Sequence, residues 1–153
     1  MADYEVRGAE DFLKLSKALK HAGRTELRKE LTSSLKRTAK PLIGKTRDEA
    51  RRRLPQKGGL AKRVAKTPQR IQVRTGAKTA GVRVVVGKSN SGARAANKGV
   101  IRHPVFGNRK VWVNQSVPPG WFDEPLRKSA PEVRRGLEKA IESIADKVAR
   151  EAR

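Results

Sequence analysis

The stretch RIQVRTGAKTAGVRVVVG, residues 70–87, marks a change in the periodicity of the chain. Upstream, apolar residues recur at helical spacing, whereas here they alternate with polar ones from Ile71 to Val86. Thr75–Gly81 interrupts the alternation with turn-forming residues. The pattern predicts a β-hairpin with a seven-residue loop whose tip carries Lys78.

Two further alternating runs follow the first hairpin. Val100–Phe106 contains Pro104, which favours an edge position because proline cannot donate a ladder hydrogen bond. Gly107 begins a turn, and Val111–Gln115 alternates again. The predicted strands are 70–75, 81–87, 99–106 and 110–116. The expected fold class is α+β, with about four strands in one small antiparallel sheet, packed by a long N-terminal helix and an amphipathic C-terminal helix.

The helical segments flank the strands. The stripe from Phe12 to Ala22 predicts a short helix, and the leucines between 25 and 54 predict a longer one, broken near Arg37–Lys40 by Pro41. Ser129 in Ser-Ala-Pro-Glu predicts the N-cap of the last helix. The Ser-, Gly- and Ala-rich residues 88–98 predict a flexible loop. A single domain is expected, made of a helical arm 1–23, a basic helix 24–55, a β-sheet region 70–116 and a C-terminal helix 129–153.

The composition is strongly basic. The 153 residues include 37 Lys and Arg against 15 Asp and Glu, a net charge of +22. Residues 24–75 alone carry 17 basic and 4 acidic side chains, whereas both ends are nearly balanced. Such a chain attracts polyanions and resists self-association. There is no Cys, and no signal peptide or membrane-spanning stretch is predicted, so we expect a soluble protein made in the cytoplasm.

Residues with the chemistry of catalysis are sparse. His21 and His103 are the only histidines, and without Cys no zinc set of ordinary spacing can be formed. The acidic pairs are adjacent in sequence, so their carboxylates do not face each other on a helix. Gly87-Lys88-Ser89 lacks the first glycine of a phosphate-binding loop. We therefore predict no catalytic, cofactor-binding or metal-binding residue, and no enzyme.

A dense basic stretch is the first candidate binding surface. It begins in the last turn of the long helix and faces either the phosphates of DNA, without sequence specificity, or an acidic protein partner, and the sequence leaves both open. Its members are Arg51, Arg52, Arg53, Lys57, Lys62, Arg63 and Lys66.

An aromatic cluster is the second candidate. Phe106, Trp112, Trp121 and Phe122 are four of the six aromatic residues. Trp121 and Phe122 follow a stiff Pro-Pro-Gly segment, which suits anchors of a subunit interface. Packing beneath the C-terminal helix explains the same cluster equally well, so both interpretations stay open.

These motifs together resemble a known family. The run GVIRHPVFG at 99–107, then Trp112 and Gln115, then Pro119-Gly120-Trp121-Phe122 is similar to the tail-completion (minor tail) proteins among the head–tail connector components of long-tailed bacteriophages. The resemblance extends over about residues 25–150. Many relatives carry an acidic residue where this chain has Pro104-Val105, so any role of that acid does not transfer.

The resemblance implies a non-enzymatic virion protein without a cofactor. It implies a homo-oligomeric ring, expected to be a hexamer, in the neck between the portal-side proteins and the tail tube. The partners would be neighbouring neck and tail proteins, with non-specific DNA contact in the channel and no membrane or small-molecule substrate. The alternative function, drawn from charge alone, is a nucleic-acid-binding basic protein without sequence specificity.

Overall fold

The computed structural model describes residues 3–6, 10–76, 79–88 and 92–151. The elements follow one another as β1 (Asp3–Val6), α1 (Glu10–His21), α2 (Thr25–Ala39), α3 (Pro41–Arg53), a 3₁₀ turn (Lys57–Gly59), α4 (Leu60–Ala65), β2 (Gln69–Gly76), β3 (Thr79–Val86), α5 (Gly92–Lys98), β4 (Val100–Val105), β5 (Asn108–Ser116) and α6 (Asp123–Glu151).

The α+β class is confirmed, but the single four-stranded sheet is wrong. The strands form two separate sheets, one with the order β1-β3-β2 and one that pairs β4 with β5. β5 pairs only with β4 among the described strands, and all nine of its residues are exposed. The short strand β1 was not predicted.

The first hairpin is tighter than predicted. β2 continues to Gly76 and β3 begins at Thr79, so most of the predicted seven-residue loop is strand. Only positions 77 and 78 separate the two strands, and the predicted tip residue Lys78 lies outside the described residues.

The predicted long basic helix is broken where its proline predicts. α2 ends at Ala39 and α3 begins at Pro41, which occupies the first helical position, where a missing N–H costs no hydrogen bond. The break near Arg37–Lys40 is therefore confirmed.

Two predictions about the second half of the chain are wrong. Residues 92–98 of the predicted flexible loop form α5, because Ala93, Ala96 and Asn97 bury one face of that short helix. The C-terminal helix begins at Asp123, six residues before the predicted cap at Ser129, so Pro131 lies inside it. The local capping signal was overridden by a cap supplied from α5, described below.

The chain divides into two compact units. We call Met1–Tyr4, Leu42–Arg70 and Val85–Lys128 the hairpin unit, and Glu5–Pro41, Ile71–Val84 and Ser129–Arg153 the helical unit. Nothing tests the expectation of a single domain, which stays a prediction.

The helical unit is organised by α2 and the greater part of α6. Thr38 lies against Gly136, Glu30 pairs with Lys147, and Arg24 pairs with Glu151. Residue numbers rise along α6 as they fall along α2, so the two helices are antiparallel. The core of this unit includes the buried side chains of Leu31, Leu35, Val133, Leu137 and Ile144.

The hairpin unit packs its core around Trp121 and Phe122. Both rings are fully buried and meet edge to face, with centroids 5.5 Å apart. α4 contacts α5, and α5 contacts β4, so short helices support the start of the β4–β5 hairpin. Other buried members of this core are Leu54, Leu60, Val64, Ile101 and Leu126.

Candidate functional site

The β4–β5 hairpin exposes apolar side chains to solvent. All nine residues of β5 are exposed. Among residues 14–74, 81–88 and 92–151, whose side-chain exposure the structure describes, the exposed large hydrophobic side chains all belong to this hairpin: Val100, Phe106, Val111, Trp112 and Val113. Exposed apolar side chains concentrated on one hairpin make it the candidate surface for binding another molecule.

The tip of the hairpin is strained. Val105 pairs with Asn108, so Phe106 and Gly107 are the two residues of the turn, and both have positive φ angles, 46° and 79°. Positive φ at both positions is the type I′ geometry that matches the twist of a hairpin and favours Asn-Gly. Phenylalanine pays a steric cost there. Its ring is fully exposed, so no burial offsets that cost.

The register divides the hairpin into two faces. Arg102 lies opposite Asn114 and Pro104 opposite Trp112, which puts their side chains on one face; Ile101 and His103 lie on the other, opposite Gln115 and Val113. The pairing then jumps from Pro104 to Val105, which leaves residues 109–111 as a bulge beside the tip.

Trp112 is held in place although its ring is 46% exposed. Its indole Nε1–H donates to the carbonyl oxygen of Arg109 in the bulge, at 2.8 Å. The guanidinium carbon of Arg102 lies 5.5 Å from the ring centroid, a cation–π contact on the same face. The hairpin thus presents an oriented aromatic ring with a cation stacked on it.

The base of the hairpin is buried and hydrogen-bonded. The indole N–H of Trp121 donates to the carbonyl oxygen of Ala93 in α5, at 3.0 Å. Gly99 has a φ of +91°, and a side chain there would meet Pro119 and the carbonyl of Val117 at 3.2–3.3 Å. The Gly and Pro-Gly-Trp-Phe motifs therefore place the hairpin on a fixed base.

Asn97 links α5 to the start of α6. Its Oδ1 accepts from the backbone N–H groups of Phe122 and Asp123, at 2.9 and 3.3 Å. Its Nδ2 donates to the Asp123 carboxylate at 2.6 Å, and its own carbonyl oxygen accepts from Gly120. An amide side chain from a distant helix thus caps α6, which explains why that helix begins before Ser129.

The predicted basic stretch is partly neutralised within the chain. Arg51 pairs with Asp48, and Arg52 with Glu49. Arg53, whose side chain is only 20% exposed, pairs with Glu49 and Glu124. It also donates to the carbonyl oxygen of Pro119 at 2.7 Å. Arg53 therefore links α3 to the segment at the base of the hairpin, whereas Arg51 and Arg52 pair within α3 and keep side chains that are 58% and 71% exposed.

The ion pairs lower the pKa of the carboxyl groups that take part in them. The hydrogen bond from Arg52 holds the pKa of Glu49 below its usual value, with further help from the Arg53 charge. The hydrogen bond from Arg53 likewise lowers the pKa of Glu124. Glu124 raises the pKa of Arg53 in turn. These pairs keep both carboxylates ionised and weaken only in acid.

The other members of the basic stretch lie at the surface. Lys57, Lys62, Arg63 and Lys66 are exposed. Between Glu49 and Asp123 the sequence has 17 Lys and Arg and no Asp or Glu. Fourteen of these cations belong to the hairpin unit, and three of the fourteen, Arg102, Arg109 and Lys110, lie on the hairpin itself.

A second basic feature lies in the helical unit. A cavity of about 540 Å³ lies between α2 and Val73 of β2. Its α2 wall carries hydroxyl and cationic side chains at helical spacing: Thr25, Arg28, Lys29, Thr32, Ser33 and Lys36. These residues carry no sequence signal of a site, because they lie among the polar positions between the leucines of the same helix.

The structure separates the four predicted aromatic anchors. Phe106 and Trp112 are exposed on the hairpin, and Trp121 and Phe122 are buried in its base. The role of Asn97 was not predicted, since a polar residue in an Ala-rich segment gives no signal of a long-range cap.

Other kinds of site are not visible among the described residues. They hold no group of three or more His, Cys, Asp or Glu side chains placed to bind a metal ion. No helix within these same ranges is both long and apolar enough to cross a membrane. Comparison with protein-family models, with curated proteins and with solved structures finds no match to this chain.

Proposed function

We propose that this chain is a non-enzymatic virion structural protein of a tailed phage, and that it forms a homo-oligomeric ring in the neck between the portal complex and the tail tube. The family resemblance of residues 25–150 motivates the proposal. In this role the chain works by binding its neighbours, and it needs no cofactor.

The single observation that carries an assembly role is the exposed apolar hairpin. A chain with a net charge of +22 gains nothing in solubility from exposing Phe106 and Trp112, and the strained tip costs folding energy. Both costs are offset if the hairpin is covered in the assembled particle. The buried Trp121 and Phe122 base gives such a hairpin a fixed direction.

The test is complementation of a phage whose copy of this gene carries an early stop codon. The wild-type chain should restore complete particles. The double variant Phe106→Asn, Trp112→Thr should leave filled heads and separate tails in electron micrographs. A matched surface variant, Lys139→Gln on the exposed side of α6, should restore particles as the wild type does. Complete infectious particles formed without the chain would refute the proposal.

A second candidate function is binding of nucleic acid without sequence specificity. The acid-free stretch and the basic wall of the α2 cavity favour it. Binding to a duplex should weaken steeply as salt rises, and Arg28→Gln with Lys36→Gln should reduce the salt slope by about 2. Strong discrimination between two duplexes at physiological salt would contradict this function.

A further inference from the structure

We propose that the free edge of β5 receives an extended, acidic segment of a different protein as an added strand. The inference deepens the proposed function and rests on it, since the partner would be a neighbouring virion protein. It specifies how the hairpin binds and what chemistry its partner carries.

The hydrogen-bond ladder shows which backbone groups are free. The N–H of Val117 donates to the carbonyl of Gly99 at 2.9 Å, so this pair is of the hydrogen-bonded type. The types alternate along an antiparallel pair, and Pro104, which has no N–H, falls in the other type as its chemistry requires. On β5 the outward N–H and C=O groups are then those of Trp112, Asn114 and Ser116.

The edge that carries these groups is open. β5 pairs with β4 alone among the described strands, and all nine of its residues are exposed. Natural edge strands are usually guarded by charges, proline or a covering element. Residues 111–116, Val-Trp-Val-Asn-Gln-Ser, contain neither charge nor proline. The opposite edge of the hairpin is guarded, because Pro104 removes one of the outward donors of β4.

The positive charge of the hairpin indicates which kind of molecule binds the β5 edge. The hairpin carries Arg102, Arg109 and Lys110 and no acidic residue, within a stretch of 17 cations. A second copy would bring an equal set of cations to this edge, whereas an acidic segment would neutralise them. Apolar side chains of the added strand would lie beside Trp112 on one face and Val113 on the other. Nucleic acid would neutralise the charges, but its phosphates only accept hydrogen bonds and cannot donate to the outward carbonyl groups of β5.

The test begins with selection from a randomised decapeptide library on the immobilised full chain. The enriched peptides should alternate apolar residues with Asp and Glu. Synthetic peptides of the enriched sequence should then protect the amides of Trp112, Asn114 and Ser116 from hydrogen exchange. The amides of Val113 and Gln115, which face β4, should be protected already without peptide. Replacing the acidic residues of the peptide with Lys serves as its control and should abolish binding.

A pair of substitutions at one position isolates the backbone donor. Asn114→Pro removes an outward N–H and should weaken peptide binding about tenfold or more. Asn114→Ala keeps that N–H and should bind as the wild type does. Near-ultraviolet circular dichroism of the buried Trp121 reports whether each variant is folded. If Asn114→Pro does not fold, the exchange pattern of the wild-type chain decides alone.

Several outcomes overturn the inference. It fails if enriched peptides are basic or uncharged, if no peptide is enriched, or if protection appears at other amides. Protection of the three amides by rising concentrations of the chain itself would show a second copy as the occupant. Protection by a single-stranded oligonucleotide instead of peptide would assign the edge to nucleic acid.

The two proposals can fail separately. If particles assemble without the chain, the neck function fails while a positive peptide result stands. If the chain is needed for assembly but the three amides stay unprotected, only the strand addition fails.

Discussion

The two tryptophans lie nine positions apart in the sequence, but one is exposed and the other is buried. Trp112 is 46% exposed on the hairpin, and Trp121 is fully buried in its base. Each indole N–H donates to a backbone carbonyl, that of Arg109 for Trp112 and that of Ala93 for Trp121. The first bond closes within the hairpin, whereas the second joins two distant segments. One ring is therefore oriented for a partner, and the other holds the fold.

The largest expected difference in stability is between the two variants that truncate Trp121 and Trp112. Trp121→Ala should lower the free energy of unfolding by about 3–5 kcal/mol, because it leaves a cavity in the core and removes the indole hydrogen bond to Ala93. Trp112→Ala should cost less than about 1 kcal/mol, since it removes only surface contacts. Urea denaturation of both variants measures the contrast. Equal losses of stability would show that the two rings do not have separate roles.

The next largest loss of stability is expected from removing the cap at Asn97. Asn97→Ala leaves the N–H groups of Phe122 and Asp123 without their acceptor, so it should cost about 1–3 kcal/mol. Lys98→Ala, the exposed neighbour on the same helix, is the matched control and should be nearly neutral. The measurement is thermal unfolding, with exchange of the amides at the start of α6 as the local readout. Unchanged exchange there would contradict the capping role.

A substitution at the tip of the hairpin is expected to have a smaller effect, and this effect is a gain in stability. Phe106→Asn relieves the positive-φ strain and creates the Asn-Gly pair that type I′ turns favour, so it should stabilise the hairpin by about 0.5–1 kcal/mol. The same change should weaken assembly in the complementation assay. Phe106→Tyr, which keeps ring and strain, should do neither. A destabilised Phe106→Asn variant would mean that the ring contributes to the fold.

The smallest expected effect is a loss of stability at acidic pH. The folded-state pKa values of Glu49 and Glu124 are lowered by their arginine partners, below the unfolded value near 4.5. Their contribution to stability is therefore complete above pH 4.5 and is lost as pH falls through the lower folded values. Urea unfolding of the wild type and of Glu49→Gln should converge in acid. A gap that persists at pH 2 would assign the effect of the substitution to packing.

The sequence predicted local features well and long-range ones poorly. Pro41 determines a helix break by its own covalent geometry, and alternation around Ile71 determines strands, so both predictions are confirmed. The start of α6 depends on Asn97, 26 residues away from Asp123, and no local pattern carries that information. The Ser129 motif satisfied every local rule and was still overridden.

The same reason explains why the aromatic cluster could not be resolved. Whether a ring is core or surface depends on what packs against its strand, and β5 has no covering element in the described structure. The arginines at 51–53 show the converse case. As a run they indicate a polyanion-binding surface, but carboxylates at Asp48, Glu49 and Glu124 pair with them in the fold.

Pro104 limits how many partners the hairpin can hold. A two-stranded ribbon with two open edges is bivalent and can grow into a fibre by adding strands on both sides. The ring of Pro104 removes an outward donor from one edge, so only the β5 edge remains fully competent. If a strand adds as proposed, the β5 edge is favoured over the β4 edge, and growth of a sheet on both sides of the hairpin is disfavoured.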